Sequence, residues 1–300
     1  MKKFTCFISL FMLALAWPNF TRSEVISLTT WNLEWLTNNP VENISESKRS
    51  REDLTKLAEH IDFIQPDILA FQEVNNISAI KSIINNKYKI YLSDRNKIIN
   101  SKLQFEDINQ FTGFAIAPKW QVTDPADLPL SPRHKLRFAS YVIIYFDGKH
   151  AIHLLSVHLK AGCRGKYKNS RSCTMLKKQG EKLNEWIIDR QAQGQSFIIL
   201  GDFNHNLAYS GDWLWQVLTK KTNSPIKENI LLATKGTESE CLVRSKQSPK
   251  RTYQYHNLID HIVVSGDLMF AQPKQYVFPV EQVVNYHLSD HCPLTIQVNN

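Results

Sequence analysis

Ser196-Phe197-Ile198-Ile199-Leu200-Gly201-Asp202-Phe203-Asn204-His205-Asn206 is the stretch from which the fold reads outward. The apolar run from Phe197 to Leu200, half of it β-branched, predicts a buried strand that stops at Gly201. A carboxylate and a carboxamide follow two positions apart. Such strand ends carry the active-site loops of layered α/β proteins. A turn at Gly201 lets Asp202 and Asn204 face one cleft, where the carboxylate suits a hard cation and the amide can donate to an anionic oxygen. Taken alone, the segment reads equally well as a polar turn whose side chains only bond the backbone. The rest of the chain decides between the two.

Upstream, the β-rich run from Val25 to Trp31 ends at Asn32. Leu54, Leu57, Ala58, Ile61 and Ile64 then recur at helical spacing, with Ser50 as N-cap and Pro66 as stop. The run Asp67 to Val74 reads as a buried strand with Glu73 at its far end, the geometry already inferred for Asp202. A short helix from Ile77 to Ile84, a strand over Tyr88 to Leu92 and a polar loop with Arg95, Lys97 and Lys102 follow. Strands are predicted at Thr112 to Ala117, Phe138 to Phe146 and Ala151 to Val157, and the loop before the second holds Arg133, Lys135 and Arg137. The third delivers Ser156-Val157-His158-Leu159-Lys160, in which alternation puts His158 and Lys160 on one face, suited to receive a phosphodiester. Between Cys163 and Cys173 lie Arg164, Lys166, Tyr167, Lys168 and Arg171 and no acid.

Leu176, Leu183, Trp186 and Ile187 mark a helix that returns to the opening strand. Beyond Asn206, the pattern predicts a helix over Trp213 to Leu218 and a strand over Ile230 to Ala233. Arg244, Lys246, Lys250 and Arg251 then form a second basic segment. Leu258 to Val264 is a strand with Asp260 among apolar neighbours, and a buried carboxylate is costly without a partner. Leu288-Ser289-Asp290-His291-Cys292-Pro293-Leu294 brings the candidate partner.

A chain of 300 residues, 43% of them hydrophobic, can bury a large core, and no linker, repeat or low-complexity block divides it. One domain over residues 24–300 is expected. Lys2 and Lys3 precede an apolar run, Phe4 to Trp17, too short to span a bilayer but suited to a secretory signal, and Thr21 and Ser23 fit a cut after Ser23. Loss of residues 1–23 would take Lys2, Lys3 and Arg22 and lower the formal charge from +8 to +5. A basic product suits a polyanion. No later apolar run spans a bilayer, so a monomer without stable membrane association, secreted or periplasmic, is expected. Cys163, Cys173, Cys241 and Cys292 remain, an even number consistent with two disulfides, and three pairings are open. Proximity in sequence favours Cys163 with Cys173, leaving Cys241 to tie the segment before Asp260 to the one carrying His291.

Together, Trp31-Asn32, Gln72-Glu73-Val74, Ser156-Val157-His158-Leu159-Lys160, Gly201-Asp202-Phe203-Asn204, Ile259-Asp260-His261 and Ser289-Asp290-His291 resemble the endonuclease/exonuclease/phosphatase superfamily typified by deoxyribonuclease I, in the family's order. The resemblance implies a four-layer α/β sandwich of two mixed sheets packed face to face with helices outside. It also implies cleavage of phosphate esters with Mg2+, or with Mn2+ or Ca2+ in its place. Glu73 would be the metal ligand, with Asn32 and Asp290 near the same ion. Asp202 and Asn204 would position water and phosphate, His291 would be the general base oriented by Asp260, and His158 would assist the leaving oxygen. His158 where the abasic-site branch has Tyr, and the Cys163–Cys173 segment, point to the branch of secreted deoxyribonuclease I-like nucleases. In one departure, no acidic residue supporting His158 is found.

The leading expectation is a low-specificity endonuclease on DNA, with Arg137, Lys160, Arg164, Lys166, Lys168 and Arg171 holding the nucleic-acid backbone, because phosphate contacts supply most non-specific affinity. The alternatives are a phosphatase or phosphodiesterase for lipids such as sphingomyelin or for inositol phosphates, and a non-catalytic binding protein on the same fold.

Overall fold

The computed structural model describes residues 25–131, 134–146, 148, 150–220, 230–248 and 250–299. The expected signal segment and Arg133 lie outside the described residues. Two mixed sheets carry the chain. One has seven strands, in the order Met269–Phe270, Leu294–Asn299, Val25–Leu36, Ile68–Val74, Phe111–Ile116 and Lys89–Leu92, with Lys274–Gln275 also paired to Leu294–Asn299. The other has six, in the order Gln121–Thr123, Ser140–Phe146, His150–His158, Ser196–Asp202, Asp260–Ser265 and Ile230–Leu232. Each sheet has one parallel pair at its centre, Val25–Leu36 beside Ile68–Val74 and His150–His158 beside Ser196–Asp202. The helix Arg51–Ile64 covers the first sheet through Leu57 and Ile61, and the helix Arg171–Ala192 covers the second through Leu176, Leu183 and Ile187. The four expected layers are present.

Ser50 caps the first helix, its hydroxyl accepting from the Asp53 amide while Asp53 accepts from the Ser50 amide. Gln65, in a left-handed conformation just before Pro66, ends it. Near Ile77 the helix is shorter than the spacing predicts, closing at Lys81. Apolar Ile83 and Ile84 continue the spacing but are buried from a turn.

Strand alternation explains where the site lies. Facing positions of the two sheets are filled by Ile26 and Leu28, Ile68 and Ala70, Ile152 and Leu154, Ile198 and Leu200, and Ile262 and Val264, which form one buried core between them. Two residues further along each strand, the same inward row turns polar. Thr30, Gln72 and Ser156 come first, joined by hydrogen bonds from Gln72 Nε2 to Thr30 Oγ1 at 3.2 Å and to Ser156 Oγ at 3.1 Å. Asn32, His158, Asp202 and Asp260 follow at the rim. The apolar core therefore ends at one edge in a layer of mutually satisfied polar groups, the only arrangement that burial there permits.

Gly201 pins this edge. Its φ is +145°, and a Cβ there would sit 2.1 Å from the Val157 carbonyl oxygen on the paired strand. Gly201→Ala is expected to cost roughly 3 kcal/mol or more by forcing apart the strands that carry His158 and Asp202. Urea unfolding measures this, and an unchanged midpoint would show that the strands separate freely.

Candidate active site

Asn32 is the hub of the polar edge. Its Nδ2 donates to Glu73 Oε1 at 3.2 Å and to Asp202 Oδ2 at 3.0 Å, so one amide joins carboxylates from the two sheets. Strict alternation would turn Glu73 away, since Gln72 already faces inward. A positive φ of 59° at Glu73, where the pairing register shifts, redirects its carboxylate into the site. Glu34 and Trp35 opposite share the left-handed conformation, and the Trp35 amide donates to Glu73 Oε2 at 3.1 Å. Asn204, at φ 51°, returns its side chain over Asp202: its backbone amide donates to Oδ1 at 2.7 Å, and its Nδ2 to Oδ2 at 3.1 Å and to the Leu159 carbonyl at 3.2 Å.

His291 Nδ1 pairs with Asp260 Oδ2 at 2.8 Å, and its Nε2 points back toward Asp202 Oδ2 at 3.8 Å and Asp290 Oδ1 at 3.8 Å. Burial alone would push this imidazole down, but Asp260 and Asp202 outweigh it and hold it well above the ordinary histidine value. His158 behaves in the opposite way. Burial, with Arg137 and His291 adding like charge, holds it well below the ordinary value, so it is neutral. Its Nε2 lies 3.6 Å from Glu73 Oε1 and 3.5 Å from Asp202 Oδ2. No carboxylate meets its Nδ1, which is buried without a partner. Arg137 takes the neighbouring place, donating to the Leu159 carbonyl at 3.0 Å. The acidic partner missing from the sequence is thus missing at Nδ1 in the structure as well, and a nearby arginine adds to the bias against the charged form.

An open cleft of about 660 Å3 lies over these groups. Arg137, Lys160 and Arg164 line it, whereas Lys166, Lys168 and Arg171 are exposed further out on the loop between Cys163 and Cys173. That loop is held by the Cys163–Cys173 disulfide, by His205 Nδ1 on the Cys163 carbonyl at 2.9 Å and by Trp213 Nε1 on the Gly165 carbonyl at 3.0 Å. Tyr167 packs edge-on against Trp213. Cys241–Cys292 is the second disulfide. It ties the ribbon of Leu242–Arg244 and Thr252–Gln254 to the residue after His291, and Tyr253 and the adjoining Tyr255 also line the cleft.

Sequence reasoning assigned no role to Glu34, Arg49 or His287. Arg49 reaches across the loop ahead of His291, donating to the carbonyls of Glu34 at 2.7 Å and Leu288 at 2.6 Å. Glu34 is pushed up by burial and accepts from the Asp290 amide at 3.2 Å. Nothing in the spacing of one arginine among the basic residues Lys48, Arg49 and Arg51 ahead of a helix announces such a reach. His261, adjacent to Asp260 in the quoted motif, faces away: its Nε2 accepts from the Leu207 amide at 3.0 Å, and burial lowers it to about 3.

The chain matches the Endonuclease/Exonuclease/phosphatase family over residues 29–291. It belongs to that family. Its members hydrolyse phosphate esters with a divalent metal, and this chain is a phosphoesterase of that class. No curated protein matches it in sequence. Among solved structures it is similar to TDP2 from C. elegans, at 15% identity and TM-score 0.63, over 92% of this chain and 75% of that one. A functionally unknown conserved protein from Enterococcus faecalis V583 gives 15% and 0.63 over 91% and 99%. The Bacteroides thetaiotaomicron mannosyl-6-phosphatase Bt3783 gives 14% and 0.59 over 91% and 99%. Identities this low show a shared fold.

The residues fit a divalent cation. Glu73 and Asp202 lie side by side on one amide, and burial, with Asp260 and Glu73 adding like charge against His291, raises Asp202 to about 7. Paired buried carboxylates are a donor set for a hard cation. Among the described residues no three acid, histidine or cysteine side chains converge as a ready cage. Mg2+ retains several waters and takes only one or two carboxylates, so none is needed. A raised Asp202 binds its proton in the folded state when the unfolded chain has lost it, which costs stability as pH rises from about 4 to about 7. In metal-free protein the stability difference between Asp202→Asn and the parent should therefore move in the variant's favour over that range. Urea titrations at stepped pH read it, and a flat difference would contradict the raised value.

Proposed function

We propose that this family member is a secreted, divalent-metal-dependent phosphodiesterase that cleaves DNA with low sequence specificity. The observation that carries the reading is the open cleft, whose floor holds the Asn32, Glu73, Asp202 and His291 cluster and whose wall is basic, with Arg137, Lys160 and Arg164. Basic residues beside hydrolytic groups in an open cleft suit a long polyanion. The cysteine pairing, Cys163 with Cys173 and Cys241 with Cys292, supports an oxidising compartment, as does the apolar segment from Phe4 to Trp17. No helix among the described residues is long and apolar enough to cross a membrane.

Glu73 would hold the cation, Mg2+ for a set of oxygen donors, with Asn32 and Asp290 beside it. The ion would supply positive charge to a phosphoryl oxygen and offset the carboxylates around His291. Once the carboxylates around it are offset and it has lost its extra proton, His291 would take a proton from the attacking water at Nε2 while Asp260 fixes Nδ1–H. Asp202 would orient that water, and Asn204 Nδ2 would donate to a phosphate oxygen in exchange for its bond to Asp202 or to the Leu159 carbonyl. Neutral His158 donates from Nε2 toward the leaving side, and Arg137 supplies there the positive charge that His158 lacks.

His291→Ala and His158→Ala are each expected to keep the fold and lower hydrolysis by about 100-fold or more. Plasmid DNA, RNA, sphingomyelin and phosphoinositides, each with Mg2+ and with a chelator, form the assay. Turnover near the parent's in both folded variants would remove the mechanism, and cleavage of a lipid or inositol phosphate but not of DNA would replace the substrate.

Neutralising Arg164, Lys166, Lys168 and Arg171 together should raise KM for duplex DNA and flatten its salt dependence by about 0.9 in log-log slope per lost phosphate contact. Hydrolysis of a small phosphodiester should be nearly unchanged. An unaltered salt slope would make the loop ordinary solvated surface.

A further inference from the structure

His205, the residue after Asn204, is 1% exposed, and both of its nitrogens face oxygens: Nδ1 meets the Cys163 carbonyl at 2.9 Å and Nε2 meets Asp212 Oδ2 at 2.7 Å. A carbonyl oxygen only accepts, and so does an ionised carboxylate. A neutral imidazole has one N–H and can serve one of them. Both bonds together require an extra proton on the histidine and aspartate pair, and imidazole is the more basic of the two groups. Asp212 Oδ1 is occupied as well, accepting from the Trp215 amide at 2.8 Å as the cap of the helix Trp213–Leu218. The geometry therefore describes a buried imidazolium that donates in two directions.

The surroundings favour that charge. Burial opposes it, but Asp212 and the Cys163 carbonyl outweigh burial and raise His205 above the ordinary histidine value. From the strand Asp260–Ser265 comes His261, lowered to about 3 and so uncharged. From the helix start, besides Asp212, comes the Trp213 ring, edge-on to the imidazole with centroids 5.2 Å apart. The loop side presents the Cys163 carbonyl, and Arg164 beside it lines the cleft.

What these bonds hold is the basic loop. The Cys163–Cys173 disulfide closes the loop onto the start of the helix Arg171–Ala192. Two further bonds reach it from the segment that follows Asn204: His205 on the Cys163 carbonyl and Trp213 Nε1 on the Gly165 carbonyl at 3.0 Å. Arg164 lies between the two held carbonyls and is the cation of this loop that lines the cleft.

We propose that His205 is a positioning residue for Arg164: its imidazolium ties the Cys163 carbonyl to Asp212 and so sets the arginine at the cleft wall. Loss of the extra proton leaves one nitrogen lone pair facing an oxygen lone pair, and one of the two bonds must open. Because the folded value is raised, the hold is complete below the ordinary histidine range and is lost as pH rises through the folded value. The grip of Arg164 on a polyanion should weaken over that interval. That consequence rests on the reading of the substrate as DNA, whereas the tether does not.

The test compares the purified 24–300 protein with Asp212→Asn. Asparagine keeps an oxygen to cap the helix and offers an N–H to His205 Nε2, so a neutral imidazole with its proton on Nδ1 satisfies every partner. At about pH 7.5, above the ordinary histidine value, imidazole 15N shifts should show His205 protonated on both nitrogens in the parent and neutral in the variant. As His205 titrates at higher pH, amide exchange over residues 163–168 should quicken in the parent and stay constant in the variant. Over the same range KM for duplex DNA, parent relative to variant, should rise by about tenfold, the scale of one lost charge-assisted contact. The kcat ratio, and the ratio for bis(p-nitrophenyl) phosphate, should hold steady, which cancels the titration of the catalytic groups the two proteins share. A neutral His205 in the parent, or loop exchange indifferent to its titration, would overturn the tether. So would a KM ratio that stays flat while DNA is cleaved. If neither protein cleaves DNA, the nitrogen shifts and amide exchange still decide the tether, and the substrate reading is what fails.

Discussion

Two carboxylates from two different sheets, Glu73 and Asp202, meet on the single amide of Asn32. Like charges that close are tolerated in a buried place only when donors, a proton or a cation offset them. Much of the surrounding structure meets that requirement. The Trp35 amide and both amides of Asn204 point at carboxylate oxygens. His291 faces the pair from the far side, held protonated by the carboxylates it approaches. A divalent-metal hydrolase needs such a concentration of negative charge, and the fold confines it to one edge.

Holding that edge requires backbone conformations that side chains ordinarily avoid. Glu34, Trp35, Glu73 and Asn204 all have positive φ, and Gly201 occupies a place where a Cβ would overlap the Val157 carbonyl. The strain is sustained because the interior behind it is fully packed, from Ile26 and Leu28 to Ile262 and Val264, with Gln72 bridging the sheets just below the rim. The segment bearing His291 has no strand of its own at that point, and it is fixed by other means. Cys292 is bonded to Cys241, Trp31 Nε1 donates to the His291 carbonyl at 3.0 Å, and Arg49 grips the Leu288 carbonyl.

The two histidines of the site show how environment rather than residue type sets chemistry. His291 has a carboxylate on one nitrogen and two more near the other, so its proton is held tightly until positive charge arrives. His158, on the end of a central strand, is buried with no carboxylate on Nδ1 and with Arg137 adding like charge, and it stays neutral. The first becomes a strong base only after that proton has left, and the second is a neutral hydrogen-bond donor.

Strand and helix periodicity determined most of the elements and the polar residues at their ends, and the resemblance carried by those motifs implied the four-layer architecture. Those signals are local: alternation and helical spacing act over a few residues, and a polar residue ending an apolar run is visible in one dimension. The pairing of cysteines followed the same way from spacing along the chain. Tertiary structure alone decided which nitrogen of His158 lacks a partner, that Arg137 stands beside it, and that only Arg164 of its loop lines the cleft. It alone put Arg49 across the His291 loop from over two hundred residues away and turned Glu73 inward against its own alternation. Each of these depends on three-dimensional surroundings, because desolvation, charge proximity and solvent exposure are set by which distant segments pack together, and no short stretch of sequence encodes them.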